Sequence, residues 1–264
     1  MKATVFIGGG RITSALLAGL RLAKYPGRLL VYDHHPQNLQ ELKRQYGVTT
    51  EKNLQSAIAQ ARILVIAVRP ASVRNLLKEI GQVKHRLVAV SLGAGIPLSR
   101  LRSRLGKPVL WARAMPSPAC RSGRGLTALT FARSFPTSAR REVKTLFAAV
   151  GSIVEIPESE FDAFTVTYSC SHGYHALATL AEAGERLGLD KEAALYAAAH
   201  ALADGIEAWR EGHVSLRSLL QEAATPGGIA ATVIKAMDRT GYKKSVQRGL
   251  AAGFSRATRN SKLL

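Results

Sequence analysis

The chain has 264 residues, 47% of them hydrophobic, and carries a formal net charge of +19. That length supports one large or two modest cored domains. No apolar run reaches the roughly 18 residues of a membrane span, and no basic-then-apolar leader marks a signal peptide. Two cysteines, Cys120 and Cys170, form no disulfide or metal spacing and read as reduced cytoplasmic thiols. The basic residues read as scattered, with no aromatic-interleaved basic run, so the charge points to small anions rather than nucleic acid.

Thr4 to Ile7 is a short apolar, β-favouring run, Gly8-Gly9-Gly10 follows at once, and Arg11 to Leu17 takes up helical spacing. Strand, glycine turn and helix are the context in which such a pattern binds a dinucleotide. Gly8 permits the tight turn, and Gly10 lets the backbone approach a pyrophosphate. The unpaired N–H groups at Arg11 and Ile12 offer the positive end of a helix to that anion. Thr13 stands where a third glycine is usual. Leu29 to Asp33 is a second strand, and Asp33 lies 25 positions after Gly8. An acid there meets the adenosine ribose hydroxyls and repels a 2′-phosphate, whereas Arg11, His34 and His35 favour that phosphate. NADH and NADPH both stay open.

Pro36 to Tyr46 reads as a helix closed by Gly47, and Ile63 to Val68 as a strand buried on both faces. That strand runs into Arg69-Pro70 and a helix through Ile80. Leu87 to Val90 is a strand followed by the small-residue turn Ser91 to Gly95, and Pro97 to Leu105 a short helix. Val109 to Ala112 leads to Arg113-Ala114-Met115-Pro116. Leu126 to Thr130, a helix from Ser138 to Val150, and Ser152 to Ile156 complete an alternating α/β pattern. Alternation of this kind predicts a doubly wound, mostly parallel sheet. After Pro157 no strand remains, and alanine-rich helices dominate, as at Tyr174 to Leu187 and Lys191 to Glu211. The chain therefore divides into residues 1–157 and 158–264, and the Ala- and Leu-rich second part is expected to pair with a second copy. Thr225 reads as an N-cap and Pro226 as a first helical residue, which turns the N–H groups of Gly227, Gly228 and Ile229 toward an anion. His172 and His175 lie one helical turn apart without a third ligand, so no metal is expected.

On these motifs the chain resembles the pyrroline-5-carboxylate reductases, which catalyse the last step of proline synthesis. Ile7 to Ile12 resembles their cofactor loop, Ala67-Val68-Arg69-Pro70 their Ala-Val-Lys-Pro turn, and Ser91 to Gly95 their small-residue turn. Arg113 to Pro116 matches their Arg-x-Met-Pro element, and Thr225 to Gly228 their Ser-Pro-Gly-Gly element. The resemblance implies an N-terminal Rossmann-like sheet followed by an all-helical dimerisation domain, and a homodimer or larger oligomer. It implies hydride transfer from NADPH or NADH to the C=N bond of a small anionic cyclic imine, 1-pyrroline-5-carboxylate. Its cofactor site falls on Gly8, Gly10, Arg11, Ile12, Asp33, His34, Ala67, Val68, Arg69, Pro70 and Ala94. Its substrate site falls on Met115, Thr225, Gly227, Gly228 and Ile229.

The chain departs from the family at the substrate end. Ser117-Pro118-Ala119 replaces Asn-Thr-Pro, and Ser169 to Tyr174 replaces Ser-Gly-Ser-Gly-Pro-Ala. Ala230 holds the place of the threonine whose hydroxyl touches the ring nitrogen in the family. Thr232 comes two residues too late to replace it. His172 and Tyr174 are the residues that offer another donor. Three readings follow: a reductase of pyrroline-5-carboxylate with an altered pocket, a reductase of another cyclic imine, and a family member that binds dinucleotide without catalysis.

Overall fold

A computed structural model describes residues 2–168, 170–212 and 214–264. The chain forms two compact units, one of residues up to 167 together with 253–264, the other of residues 168–252.

The first unit is built on β1 (Ala3–Ile7), β2 (Leu29–Tyr32), β3 (Thr49–Glu51), β4 (Ala61–Ile66), β5 (Leu87–Ser91), β6 (Val109–Met115), β7 (Gly125–Phe131) and β8 (Gly151–Glu155). Among the described residues they make an eight-stranded sheet in the order β3-β2-β1-β4-β5-β6-β7-β8. Every pairing is parallel except β6 with β7. The order reverses at β1, which pairs with β2 on one side and β4 on the other. That reversal opens a crevice at the carboxyl ends of the strands.

The apolar runs are continuous because both faces are covered. Val5, Ile7, Leu64 and Ile66 pack with α3 (Leu54–Gln60) and α4 (Pro70–Ile80), which contribute Ala57, Ile58, Val73 and Leu77. Phe6, Val31, Ile63 and Val65 face the opposite layer with α1 (Arg11–Leu22) and α6 (Thr137–Ala148), through Leu16, Leu17, Leu20, Val143 and Phe147. Helix α2 (Pro36–Tyr46) has Pro36 in its first turn and ends on Gly47 at φ 58°.

Elements that differ from the sequence-based expectations include β3, α5 (Leu98–Leu101) and α7 (Glu158–Thr167). Strand β3 is short and polar, and pairs at the sheet edge with β2 alone. The helix expected over Pro97 to Leu105 shrinks to α5 (Leu98–Leu101), because Leu105 and Gly106 turn to φ 66° and 94°. Helix α7 (Glu158–Thr167) stays with the sheet, ten residues beyond the division expected at 157, because buried Arg113 binds it there.

The second unit is helical: α8 (Cys170–Arg186), α9 (Lys191–Glu211), α10 (Leu216–Ala223), α11 (Ile229–Arg239) and the first part of α12 (Tyr242–Asn260). Asp190 caps α9 by accepting from Glu192 and Ala193, each at 3.0 Å. Ser215 caps α10 by accepting from the Ser218 N–H at 3.1 Å. Helices α8 and α9 meet through small residues, with Gly184 against Ala194. Among the described residues no helix is long and apolar enough to cross a membrane.

Candidate active site

The glycine turn sits where β1 delivers its last residue to the carboxyl edge. Gly8 has φ +104°, and a side chain there would approach the Ala67 carbonyl oxygen to 2.8 Å. Gly8 is therefore required twice, by conformation and by close packing. A side chain at Gly10 would meet no described atom within 4 Å. Packing does not demand that glycine, and open space over it suits a ligand that must reach the backbone. Helix α1 starts at Arg11 with Gly10 as its cap and no acid in its first turn, so its N–H end keeps its positive character. Thr13 explains its own presence in place of a third glycine. It is fully buried, and its hydroxyl donates back to the Gly8 carbonyl at 2.5 Å.

Asp33 follows β2 and is wired into the same turn. Its Oδ2 accepts from the Gly9 N–H at 2.6 Å and its Oδ1 from the His35 N–H at 2.7 Å. The side chain is buried, while His34 and His35 are exposed with their rings 4.1 Å apart. Arg11, one step past the turn, is exposed. The outward groups here are thus a guanidinium and two imidazole rings. Asp33, His34 and His35 are the three-residue group among the described residues whose ligand atoms approach within 4.8 Å. The carboxylate already serves two backbone donors, so the group reads as a turn. Burial pushes the neighbouring Tyr32 hydroxyl up, with Glu79 and Asp33 adding to it.

The next two strand ends continue the edge. The Ala67 N–H donates to Ile7 O at 2.8 Å, and the Leu92 N–H to Ile66 O at 3.0 Å. Val68 is half-buried, Arg69 exposed, and Pro70 opens α4. Ala94 lies half-buried in the turn after β5. Its carbonyl accepts from Asn260 Nδ2 at 3.1 Å. Met115 ends β6 half-buried, and Pro116 and Ser117 after it are buried. Beneath them Arg113 is 1% exposed. Its two terminal nitrogens donate to Glu158 at 2.8 Å and Asp162 at 2.7 Å, and its guanidinium lies 4.2 Å from the Phe161 ring centroid. Glu158 also accepts from the Leu98 N–H at 3.0 Å. Sequence reading missed Glu158, Asp162 and Asn260. Their partners lie 45, 49 and 166 positions away, beyond the reach of any local pattern.

In the second unit the expected helix start is corrected. Thr225 is not an N-cap, and Pro226 is not a first helical residue. The Gly228 N–H donates to the Thr225 carbonyl at 2.9 Å, and Gly227 stands at φ +79°. Thr225 to Gly228 is a turn of the kind that wants proline second and glycine third. Gly228 caps α11, which begins at Ile229. The Gly228 N–H is consumed in the turn, so the open N–H groups of the helix start are those of Ile229, Ala230 and Ala231. Ile229 is 86% exposed. Ala230 is exposed, and the Thr232 hydroxyl donates to the Gly228 carbonyl at 3.1 Å. Along α10, Leu216, Leu220, Ala224 and Pro226 line an open cavity of about 670 Å³. His172 and Tyr174 are exposed near the start of α8, and Ser169 lies outside the described residues.

Residues 4–95 match the family described as NADP oxidoreductase, coenzyme F420-dependent, and residues 158–260 the family described as pyrroline-5-carboxylate reductase dimerisation. The chain is 31% identical to the pyrroline-5-carboxylate reductase of Mycobacterium tuberculosis, over 97% of this chain and 96% of that one. The solved 1-pyrroline-5-carboxylate reductase of Streptococcus pyogenes shares the fold at a TM-score of 0.89 and 23% identity, over 97% and 98% of the two chains. So does the pyrroline carboxylate reductase of Plasmodium falciparum solved with NADP bound, at 0.88 and 20% over 98% of each.

Proposed function

The chain belongs to the pyrroline-5-carboxylate reductase family, and from that premise we propose how its residues divide the work of an NAD(P)H-dependent imine reductase. The reaction reduces the C=N bond of 1-pyrroline-5-carboxylate to give L-proline. The imine carbon takes a hydride and the nitrogen a proton. The single observation that carries this reading is the 31% identity across 97% of the chain.

The residues present fit a dinucleotide, since open space lies over Gly10 at the start of α1. The turn Gly8 to Gly10 and the N–H groups of Arg11 and Ile12 hold the pyrophosphate. Asp33 braces that turn from beneath. With its two oxygens on Gly9 and His35, the outward groups Arg11, His34 and His35 receive the adenosine end, which favours NADPH over NADH. Ala67 to Pro70 and Ala94 carry the nicotinamide half, which supplies the hydride when bound. Met115 lies beside them at the end of β6. The first turn of α11, with the Thr225 to Gly228 turn before it, binds the substrate carboxylate. Ala230 brings no hydroxyl to the ring nitrogen, so His172 or Tyr174 delivers its proton. Residues 168–252 pair with a second copy through their exposed apolar faces, and the protein acts in the cytoplasm.

Oxidation of NADPH by the purified protein with 1-pyrroline-5-carboxylate, at a higher kcat/KM than with NADH, is the expected result. A second reading is favoured by Ala230, because the lost hydroxyl is not replaced by Thr232. Turnover confined to six-membered or aromatic imines would select that reading. Cofactor binding without turnover on any imine would leave a non-catalytic dinucleotide-binding protein.

A further inference from the structure

The end of the chain returns to the sheet. Residues 253–264 belong to the first unit, although α12 begins at Tyr242 among the residues of the second. The returning stretch is anchored at three points. A side chain on Gly95, which has φ +77°, would strike the Ala257 carbonyl and come within 2.9 Å of the Asn260 β-carbon. Asn260, only 9% exposed, donates from Nδ2 to the Ala94 carbonyl at 3.1 Å. Leu264 is buried in the layer that holds Ile96, Leu98 and Leu101, and its carbonyl accepts from Arg104 at 3.0 Å.

The turn gripped by this stretch is the one after β5. Backbone hydrogen bonds step from Ile7 to Ala67 and from Ile66 to Leu92, so the ends of β1, β4 and β5 form one continuous edge. In a doubly wound sheet a dinucleotide lies across that edge, its adenosine half toward the acid after β2. Its nicotinamide half therefore falls toward β4 and β5. Within the turn, the Gly93 N–H donates to Ser91 Oγ at 3.2 Å and the Ile96 N–H to Gly93 O at 3.4 Å. Across that turn the Ala94 carbonyl is held by Asn260 Nδ2.

We propose that Asn260 is a positioning residue for the nicotinamide half of the cofactor site, acting by holding the Ala94 carbonyl and so fixing the Ser91 to Gly95 turn. The proposal rests on the dinucleotide reading above. Asn260→Asp keeps the shape but removes the N–H and sets an oxygen against the carbonyl. Its Kd for NADPH is expected to rise on the order of tenfold. Its affinity for 2′,5′-ADP, which lacks the nicotinamide half, stays within about twofold, since that fragment does not reach the turn. Asn260→Leu fills the same space without a donor and shows the same split, and Asn260→Gln, which retains the donor, recovers part of the NADPH affinity. A purely structural role would weaken both ligands together through loss of fold. Equal weakening of the two ligands, or unchanged NADPH affinity in both Asp and Leu variants, overturns the proposal. Failure of the wild-type protein to bind NADPH, NADH or 2′,5′-ADP would instead overturn the dinucleotide reading itself.

Discussion

Residues up to 167, with 253–264, bury apolar layers on both faces of a sheet, whereas among the described residues of 168–252 little is buried besides Ala181, Ala194 and Ala198. The second unit leaves Tyr196, Ile206, Trp209, Leu216 and Leu220 about half exposed or more. Charge divides the same way. The first unit carries 28 Lys and Arg against 9 Asp and Glu, and the second carries 9 against 9. The basic residues are therefore not scattered, as they seem along the chain, but gathered on the unit that faces an anionic cofactor. One unit completes its own core and advertises charge; the other offers neutral apolar surface and awaits a partner.

The largest expected effect comes from spoiling that surface. On the pairing proposed above, Ile206→Asp would place a carboxylate in the apolar face between two copies at a cost of several kcal/mol. Light scattering should then report monomers, and turnover should vanish; an intact dimer would break the contrast between the units. Arg113→Met removes the cation between Glu158 and Asp162 and should cost about 3 kcal/mol in urea unfolding. An unchanged midpoint would mean that α7 does not depend on the sheet. Gly8→Ala should raise the NADPH Kd at least about tenfold, through φ strain of roughly 1–2 kcal/mol and the contact with Ala67. Fluorescence titration checks it, and secondary structure by circular dichroism should be retained. Ala230→Thr restores a hydroxyl at the family position and should raise kcat on 1-pyrroline-5-carboxylate up to about tenfold. No gain would remove Ala230 from the substrate site. Smallest of all, Glu142→Gln should cost under about 1 kcal/mol, because its partner Arg62 is 62% exposed.

The sheet was legible wherever burial on both faces left an unbroken apolar run, as in Thr4 to Ile7 and Ile63 to Val68. It was not legible at β3, whose Thr-Thr-Glu sequence has nothing apolar to show and forms through pairing with β2. In the site, Gly8 and Asp33 stood out because a tight turn and a strand end each constrain their own neighbours. The turn at Thr225 was misread, because Thr-Pro opens a β-turn as readily as a helix and Gly227 decides between them.

What the sequence determined by itself was the alternation of strands and helices, the glycine turn at the head of α1 and the family to which the motifs point, since each is written in adjacent residues or in a short period. Only the tertiary structure decided that α7 docks on Arg113, that the net charge collects on one unit, and that Asn260 closes on Ala94. Those contacts join positions far apart in the chain, and their energy comes from the geometry of burial rather than from any spacing a sequence can display.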